Sequence, residues 1–421
     1  MSRRRDHGPT TIALTGLGIV APTGVGIEEH WASVLTGRTG VGKITRFDAS
    51  GYPVRLAGQV ADVDVTGLVP GRLIPQTDWW THLALAGADA ALHDAGIDPA
   101  DLPEYEMAVV TASSSGGTEF GQREIERLWH DGPSHVGAYQ SIAWFYAATT
   151  GQVSIRHGMR GPCGVLACEQ AGGLDALGQA RRLAEAGCRL VVTGGTDASL
   201  CPYGLVAQLP TGLLSTSDEI ARAYLPFDVA AAGYVPGEGG AILVAEELTA
   251  ARRRGVGAGY GVLLGYAAGF DPPPGSPRPP ALRRTIELAL ARARLEPSDV
   301  DVVFADAMAD VDADLVEAQA ISAVFGAGRV PVTAPKTLTG RLYGGGAALD
   351  VATALLAMRD GVVPPTVGPS ELAPGCDIDL VLGQPRERRV RHVVVLARGY
   401  GGFTSAVVLG RDFPTTTDGS V

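Results

Sequence analysis

"GPCGVLACEQAGGLDALGQA", residues 161–180, reads as a buried strand, then a turn of small residues and then a helix. A side chain at such a turn faces the free N–H groups of a helix N-terminus, which favour a nucleophile and the oxyanion it creates. The residue at that place is Gln170, whereas Cys168 is expected two residues earlier, within the strand. A carboxamide has no accessible anion and cannot carry an acyl group. Cys168 would lie about 6.6 Å from the turn, too far to share its N–H groups.

Strands and helices of the same kind alternate along the chain, which predicts an α/β protein. Apolar strands that run into small-residue loops are predicted within residues 11–24, 107–117, 190–200, 261–270, 300–310 and 392–410, and helices at 81–96, 172–187, 281–295, 312–326 and 348–361. "RLVVTGGTDASL" (189–200) resembles "RHVVVLARGYGGF" (391–403), so two similar halves in one chain are predicted. We place them at 1–255 and 256–412, and expect a disordered tail at 413–421.

Composition narrows the class of function. The 421 residues are 46% hydrophobic and carry a net charge of −11, which argues against nucleic acid and against an anionic membrane surface as partners. No apolar stretch is long enough to span a membrane, and a cytoplasmic location is expected. The five cysteines lack metal-ligand spacing, so we expect buried thiols, no metal and no cofactor.

Several long motifs in a fixed order carry a family resemblance. They are "TGLGIVAPTGVG" (15–26), "SIRHGMRGPCGVLACEQAGGLDAL" (154–177), "AYLPFDVAAAGYVPGEGGAILV" (223–244), "APKTLTGRLYGGGAALD" (334–350) and "ARGYGGFTSAVV" (397–408). The chain resembles the β-ketoacyl synthases of the thiolase superfamily, and more closely the chain-length factors, or ketosynthase-β subunits, of type II polyketide synthases. The resemblance implies a thiolase-like fold, with two pseudo-repeated α/β halves in a five-layered αβαβα arrangement.

The resemblance also implies a site that has lost its chemistry. Catalytic members use one Cys, two His and a Lys; the matching positions here hold Gln170, Asp306, Arg341 and Lys336. Asp306 and Arg341 have opposite charges, so we predict a charge-assisted pair within reach of Gln170. In the alternative, the two side chains face separate solvent-filled spaces.

The histidines support the same conclusion without an alignment. Seven of the eight histidines lie at or before residue 157, and the eighth, His392, begins an apolar strand. Claisen condensation by this architecture needs imidazoles late in the chain to bind the thioester carbonyl and assist decarboxylation. The chain alone is therefore expected to be inactive in condensation.

A second stretch, "SSSGGTEFGQREIERLW" (113–129), predicts a helix from about Glu119 with Thr118, Gly121 and Ile125 on one face. In the family, the matching helix lines a polyketide tunnel at the dimer interface, where bulky residues act as a gate. Thr118, Gly121 and Ile125 are all smaller than an aromatic residue, so the sequence predicts a wider cavity at the gate. A wider cavity would suit a relatively long polyketide, or an extended one that does not cyclise there. The alternative is an ordinary interface helix whose glycine permits close packing.

The leading interpretation is a non-condensing subunit. It would pair with a catalytic ketosynthase-α, complete the tunnel for the growing polyketide and set the number of malonyl extensions. Its aromatic stretch "AWFYAATTGQVSI" (143–155) would lie at the subunit interface. An acyl carrier protein would dock mainly on the partner, because carrier proteins are usually acidic and this chain is acidic too. One alternative is a malonyl-carrier-protein decarboxylase that makes the acetyl starter through Gln170. Another is a self-sufficient homodimeric synthase that uses Cys168.

Overall fold

Strands and helices alternate in the computed structural model, which describes residues 11–61, 65–257, 259–273 and 275–411, without the side chains of 65 and 66. The proposed tail at 413–421 lies outside these residues. The strands are β1 Ile12–Ala21, β2 Gly24–Val25, β3 Val41–Lys43, β4 Leu56–Gly58, β5 Met107–Ala112, β6 Cys163–Leu166, β7 Leu190–Asp197, β8 Gly239–Glu247, β9 Gly261–Phe270, β10 Val302–Phe304, β11 Pro331–Thr333, β12 Val362–Val363, β13 Asp379–Leu380, β14 Arg386–Glu387, β15 His392–Gly399 and β16 Phe403–Gly410. The helices are α1 Ile27–Thr36, α2 Val65–Leu68, α3 Trp79–Asp94, α4 Thr118–Asp131, α5 Gln140–Ala143, α6 Ala148–Arg156, α7 Gly172–Glu185, α8 Pro202–Gln208, α9 Leu248–Arg253, α10 Leu282–Ala293, α11 Val311–Phe325 and α12 Gly346–Asp360.

The sheet repeats one pattern in both halves of the chain. Among the described residues its order is β13-β11-β10-β15-β16-β9-β1-β8-β7-β5-β6, with β2 beside β1. Outward from β1, strand β8 is antiparallel, β7 is antiparallel to β8, and β5 and β6 are parallel to β7. Outward from β9, strands β16, β15, β10 and β11 have the same directions. The resemblance noted between residues 189–200 and 391–403 therefore joins equivalent strands, β7 and β15.

Helices cover the sheet in layers. Helices α7 and α12 pack together between the two half-sheets, where the largest apolar core lies. Helix α3 covers the outer face of the first half and α10 that of the second, each over its own core. This is the expected thiolase-like arrangement. Antiparallel pairing of β1 with β9 also joins the half-sheets by hydrogen bonds. The boundary that we propose at residue 255 falls between α9 and β9.

Local chemistry accounts for the ends of the elements. The Asp78 carboxylate accepts a hydrogen bond from the Trp80 N–H and begins α3. Helices α11 and α12 end at Gly326 and Gly361, whose φ values of 88° and 68° suit glycine, as the sequence predicted. Gly18 permits close packing of β1 on α3, because a Cβ there would lie 1.8 Å from the Gly87 carbonyl oxygen.

Two expectations about the opening stretch were wrong. Strand β6 ends at Leu166, so Cys168 lies beyond the strand, because its neighbour β5 ends opposite at Ala112. The strand is also an edge strand and is not buried. Cys163 on it is exposed and Cys168 is half-buried, while Cys188, Cys201 and Cys376 are buried free thiols as expected. No helix among the described residues is long and apolar enough to cross a membrane.

Candidate functional site

Gln170 lies at the turn that joins β6 to α7. Residues 169–171 form a single 3₁₀ turn, and α7 begins directly after it. The Gln170 side chain is fully buried, and its amide oxygen and nitrogen have no hydrogen-bond partner among the described residues. Gly346, the first residue of α12, leaves room for it, since a Cβ there would lie 2.5 Å from the amide nitrogen. The carboxamide therefore fills the nucleophile's place and offers no nucleophile.

Asp306 and Arg341 form the predicted pair. Arg341 Nη1 donates to Asp306 Oδ2 at 3.1 Å, and both side chains are almost completely buried. Burial opposes the charged guanidinium, but the carboxylates of Asp306 and Glu169 hold the pKa of Arg341 well above its ordinary value. The Arg341 guanidinium also lies over the Tyr234 ring, 5.3 Å from its centroid. The alternative with two separate solvent-filled spaces is wrong, and no hydrogen bond joins Gln170 to the pair.

Glu169 is a third member of this network, and sequence reasoning missed it. Its carboxylate accepts from Arg341 Nε at 3.1 Å and Nη2 at 3.3 Å, which is a bidentate contact. The same carboxylate accepts from the Tyr400 N–H at 2.9 Å. Glu169 adopts a left-handed backbone conformation, with φ 51°. The available signal was a carboxylate directly beside Gln170 at the turn, because a charge next to a buried site needs a partner of opposite charge.

Lys336 supports the segment that carries Asp306. Its Nζ donates to the carbonyl oxygens of Ala305 at 2.6 Å and Asp306 at 3.0 Å, and lies 2.8 Å from Asp350 Oδ2. Burial raises the pKa of Asp350, and the Lys336 charge opposes that rise. A cavity of about 10 Å³ lies between Lys336, Asp350 and Gly346. That volume holds about one water molecule, so no acyl group fits there.

Two carboxyl groups of α11 hold the backbone after β10. Glu317 accepts from the N–H groups of Asp306 and Ala307 at 2.7 and 2.9 Å. Asp314 accepts from the N–H groups of Phe227 and Ala309 at 2.7 and 3.1 Å. Burial raises the pKa of both groups, in Asp314 to about 8. These bonds fix a loop in which Ala307 and Ala309 have positive φ.

Neither Cys168 nor a nearby imidazole supplies the missing chemistry. Burial, with the Asp175 charge, raises the pKa of the Cys168 thiol to about 11, so the thiolate is scarce at neutral pH. His30 is a histidine that borders the small cavity beside Lys336. Burial lowers its pKa to about 3, and its ring nitrogens bond to Thr23 and Thr353 at 2.7 and 3.0 Å. It is a neutral, satisfied core residue.

The predicted gate residues lie on α4, which begins one residue before the predicted start. Thr118 and Gly121 are buried, whereas Ile125 is 42% exposed, so the face runs from the interior to the surface. The space beside Gly121 is not empty, because a Cβ there would lie 2.7 Å from Trp144 Cδ1. The expectation that a small residue at this position leaves extra cavity is therefore wrong for Gly121. The indole of Trp144 fills the space.

Apolar side chains beside α4 form an exposed surface, which we call the aromatic segment, residues 139–146. Its exposed members, each between 39% and 50% exposed, are Tyr139, Ile142, Trp144, Phe145 and Tyr146. Ile155, at the end of α6, is 74% exposed. Exposed apolar groups of this size and density mark an interaction surface.

Comparison with known proteins adds the family. The model of the β-ketoacyl synthase N-terminal domain matches residues 10–251, and that of the C-terminal domain matches residues 260–369. The chain is 58% identical over 404 residues to the tetracenomycin polyketide synthase ketoacyl synthase beta subunit of Streptomyces glaucescens, covering 96% of this chain and 99% of that one. It is 30% identical, over 96% of its length and 99% of the other, to 3-oxoacyl-[acyl-carrier-protein] synthase 2 of Coxiella burnetii.

Two solved structures are similar over nearly the whole chain. The ishigamide ketosynthase/chain length factor matches with a TM-score of 0.88 and 26% identity, covering 96% of this chain and 99% of that one. A type II polyketide synthase acyl-carrier protein in complex with its ketosynthase, bound to the hexaketide, matches with a TM-score of 0.84 and 26% identity, covering 96% and 100%.

Proposed function

The chain belongs to the β-ketoacyl synthase family, and we propose that within it the chain is a non-condensing chain-length factor. In this role it pairs with a catalytic ketosynthase-α, forms the polyketide tunnel with it and sets how many malonyl units are added. It needs no cofactor or metal of its own for this role. Its similarity to a ketoacyl synthase beta subunit, at 58% identity, supports the assignment.

The observation that carries the proposal is the chemistry of the former active site. The nucleophile's place holds a buried carboxamide, and the places of the two imidazoles hold an ion pair 3.1 Å long. A carboxylate and a guanidinium locked together cannot exchange a proton with a substrate near neutral pH, as an imidazole does. Only Lys336 remains, and its ammonium is occupied by two carbonyl groups and Asp350. The fold is kept while the means of condensation is lost.

The surface beside this site supports a protein partner. The carbonyl oxygens of Pro162 and Leu166 accept hydrogen bonds from the N–H groups of Val109 in β5 and Ser113 just after it, so the polar groups of the intervening Val165 point away from the sheet. An edge strand with outward backbone groups and no charged residue can pair with a strand of another chain. The aromatic segment precedes this strand in the chain, and aromatic residues are the usual anchors of interfaces. A ketosynthase of the same fold offers the matching surfaces.

The acyl carrier protein is proposed to dock mainly on the catalytic partner. The acyl carrier proteins that serve this family are usually acidic. This chain has a net charge of −11, so it is a poor main docking surface for one. The partner also holds the cysteine that receives the acyl group. A cytoplasmic location belongs to the same proposal.

The decarboxylase alternative is less well supported. It needs groups that polarise the thioester carbonyl beside Gln170, and the side chains at the two positions where catalytic members hold imidazoles are engaged with one another. The Arg341 guanidinium donates its hydrogen bonds to Glu169, Asp306 and the Arg398 carbonyl oxygen. We therefore expect no acetyl product from the chain by itself.

Reconstitution tests the function. The purified chain, given malonyl-loaded carrier protein, should yield neither acetyl nor condensed product, whereas its one-to-one complex with a catalytic ketosynthase-α should yield a polyketide. Size-exclusion chromatography and product mass are the readouts. Acetyl product that disappears in Gln170→Ala would establish the decarboxylase, and condensed product that disappears in Cys168→Ala would establish the self-sufficient synthase. Failure to form the complex would contradict the subunit role.

A further inference from the structure

The loop between β15 and β16, residues 400–402, closes directly over the turn that holds Gln170. Gly399, just before the loop, packs so closely on the turn that a Cβ would lie 2.3 Å from the Cys168 carbonyl oxygen. Gln170 is fully buried although its turn follows an edge strand. Gly346 of α12 lies against its amide, and the loop region contacts the turn through Gly399 and Tyr400.

Hydrogen bonds to charged side chains hold the loop at Tyr400 and the end of β15 at Arg398. The Tyr400 N–H donates to Glu169 Oε2 at 2.9 Å, and the Arg398 N–H donates to Asp306 Oδ1 at 2.9 Å. The Arg398 carbonyl oxygen accepts from the Arg341 guanidinium. Arg341 joins the two carboxylates, so one network connects the turn, the segment after β10 and the loop.

Glu169 has a strained backbone in this arrangement. Its φ of 51° lies in the left-handed region, which non-glycine residues rarely adopt because the Cβ atom crowds the following carbonyl oxygen. Strain of this kind persists only where the surrounding contacts stabilise it, and here the contacts are the bidentate bond to Arg341 and the bond to Tyr400. The side chain is 18% exposed, so its carboxylate is mostly shielded from water.

We infer that Glu169 and Arg341 act as a lock, which holds the 400–402 loop closed over Gln170 and keeps acyl groups out of the nucleophile's former place. A thioester oxygen that entered would have to compete for the Tyr400 N–H with a carboxylate, which is the stronger acceptor. The inference deepens the proposed function: the subunit that leaves condensation to its partner also closes its own site to the intermediates.

Thiol labelling of the full chain tests the lock without any partner. A cysteine is placed at the closed position in Gln170→Cys, and the lock is removed in Gln170→Cys with Glu169→Ala. In labelling, the cysteine sulfur displaces iodide from iodoacetamide, forming the S–C bond and releasing the thiol proton to buffer. We expect the new cysteine to react at least about tenfold more slowly in the single variant than in the double variant. The bulkier N-phenylmaleimide should show a larger ratio, which separates closure from a change in the thiol pKa alone.

The natural cysteines serve as internal controls. Cys163 is exposed and should label in every variant, whereas Cys188, Cys201 and Cys376 are buried and should label only if the chain unfolds. Equal labelling of residue 170 in both folded variants would overturn the lock. If the double variant unfolds, the hydrogen-exchange rate of the Tyr400 backbone N–H is measured in Glu169→Gln instead. A rate about tenfold faster than in the native chain supports the lock, and an unchanged rate overturns it. Either result leaves the proposed subunit function untouched.

Discussion

Arg341 is a buried cation that two carboxylates share. Because Asp306 is fully buried and Glu169 is 18% exposed, removing the guanidinium leaves negative charges without a partner in a poorly hydrated space. Breaking a buried ion pair in this way costs about 3–5 kcal/mol. The former active site therefore contributes to stability after losing its chemistry.

Arg341→Met should lower the free energy of unfolding by about 3–5 kcal/mol, measured by urea denaturation. The matched control is Arg283→Met, which breaks an exposed ion pair with Glu287 at 2.8 Å and should cost less than about 1 kcal/mol. If the two variants are equally stable, the network around Arg341 is not a stabilising one.

Asp314 makes the stability depend on pH. Burial raises its pKa to about 8; the charges of Glu317 and Asp306 add to the rise, and the N–H groups of Phe227 and Ala309 oppose it. Between about pH 4 and pH 8 the folded chain keeps a proton that the unfolded chain has released, so stability falls as pH rises through this range. The Tm should be higher at pH 6 than at pH 8, and the difference should be smaller in Asp314→Asn. An unchanged difference in that variant would contradict the assignment.

Helix α4 and the aromatic segment act together. Trp144 fills the notch at Gly121, and the Gly117 N–H donates to the Trp144 carbonyl oxygen at 3.2 Å. The width of a tunnel beside this helix thus depends on Trp144 as well as on the predicted gate residues.

In the complex with a catalytic ketosynthase, Trp144→Ala should lengthen the polyketide by at least one two-carbon unit, as read by product mass. Trp129→Ala, on α4 and 83% exposed, should leave the length unchanged. An intact Trp144→Ala complex that gives the native product would remove Trp144 from the gate.

Strand β6 is the element that we expect to meet the partner. Val165→Pro deletes one outward N–H group and should abolish the complex in size-exclusion chromatography, while Val165→Ala should preserve it. The Tm of each isolated chain shows whether it still folds. A stable complex with the proline variant would place the interface elsewhere.

Across the molecule, the sequence predicted the features that depend on residues close together in the chain, above all the positions of the helices. The predicted helices lie within about two residues of α3, α7, α10, α11 and α12, and the echo between residues 189–200 and 391–403 identified equivalent strands. The family resemblance placed Asp306 and Arg341 in one site, and their opposite charges then predicted the pairing.

Contacts made in the folded chain escaped prediction. Glu169 meets Tyr400 across 231 positions, and Trp144 enters the notch at Gly121 from another segment. The end of β6 was misplaced because a strand stops where its neighbour stops, at Ala112, even though the apolar sequence continues. No spacing in the sequence encodes such contacts.

The most direct test of the central claim is the mass of the polyketide that the complex makes when this chain carries Thr118→Phe. Thr118 is buried on α4, on the face that we propose lines the tunnel, so we expect a phenyl ring there to narrow it. A shorter product, by one or more two-carbon units and from an intact complex whose partner is unchanged, is the predicted result. A product of native mass from that complex would contradict the claim that this subunit sets chain length.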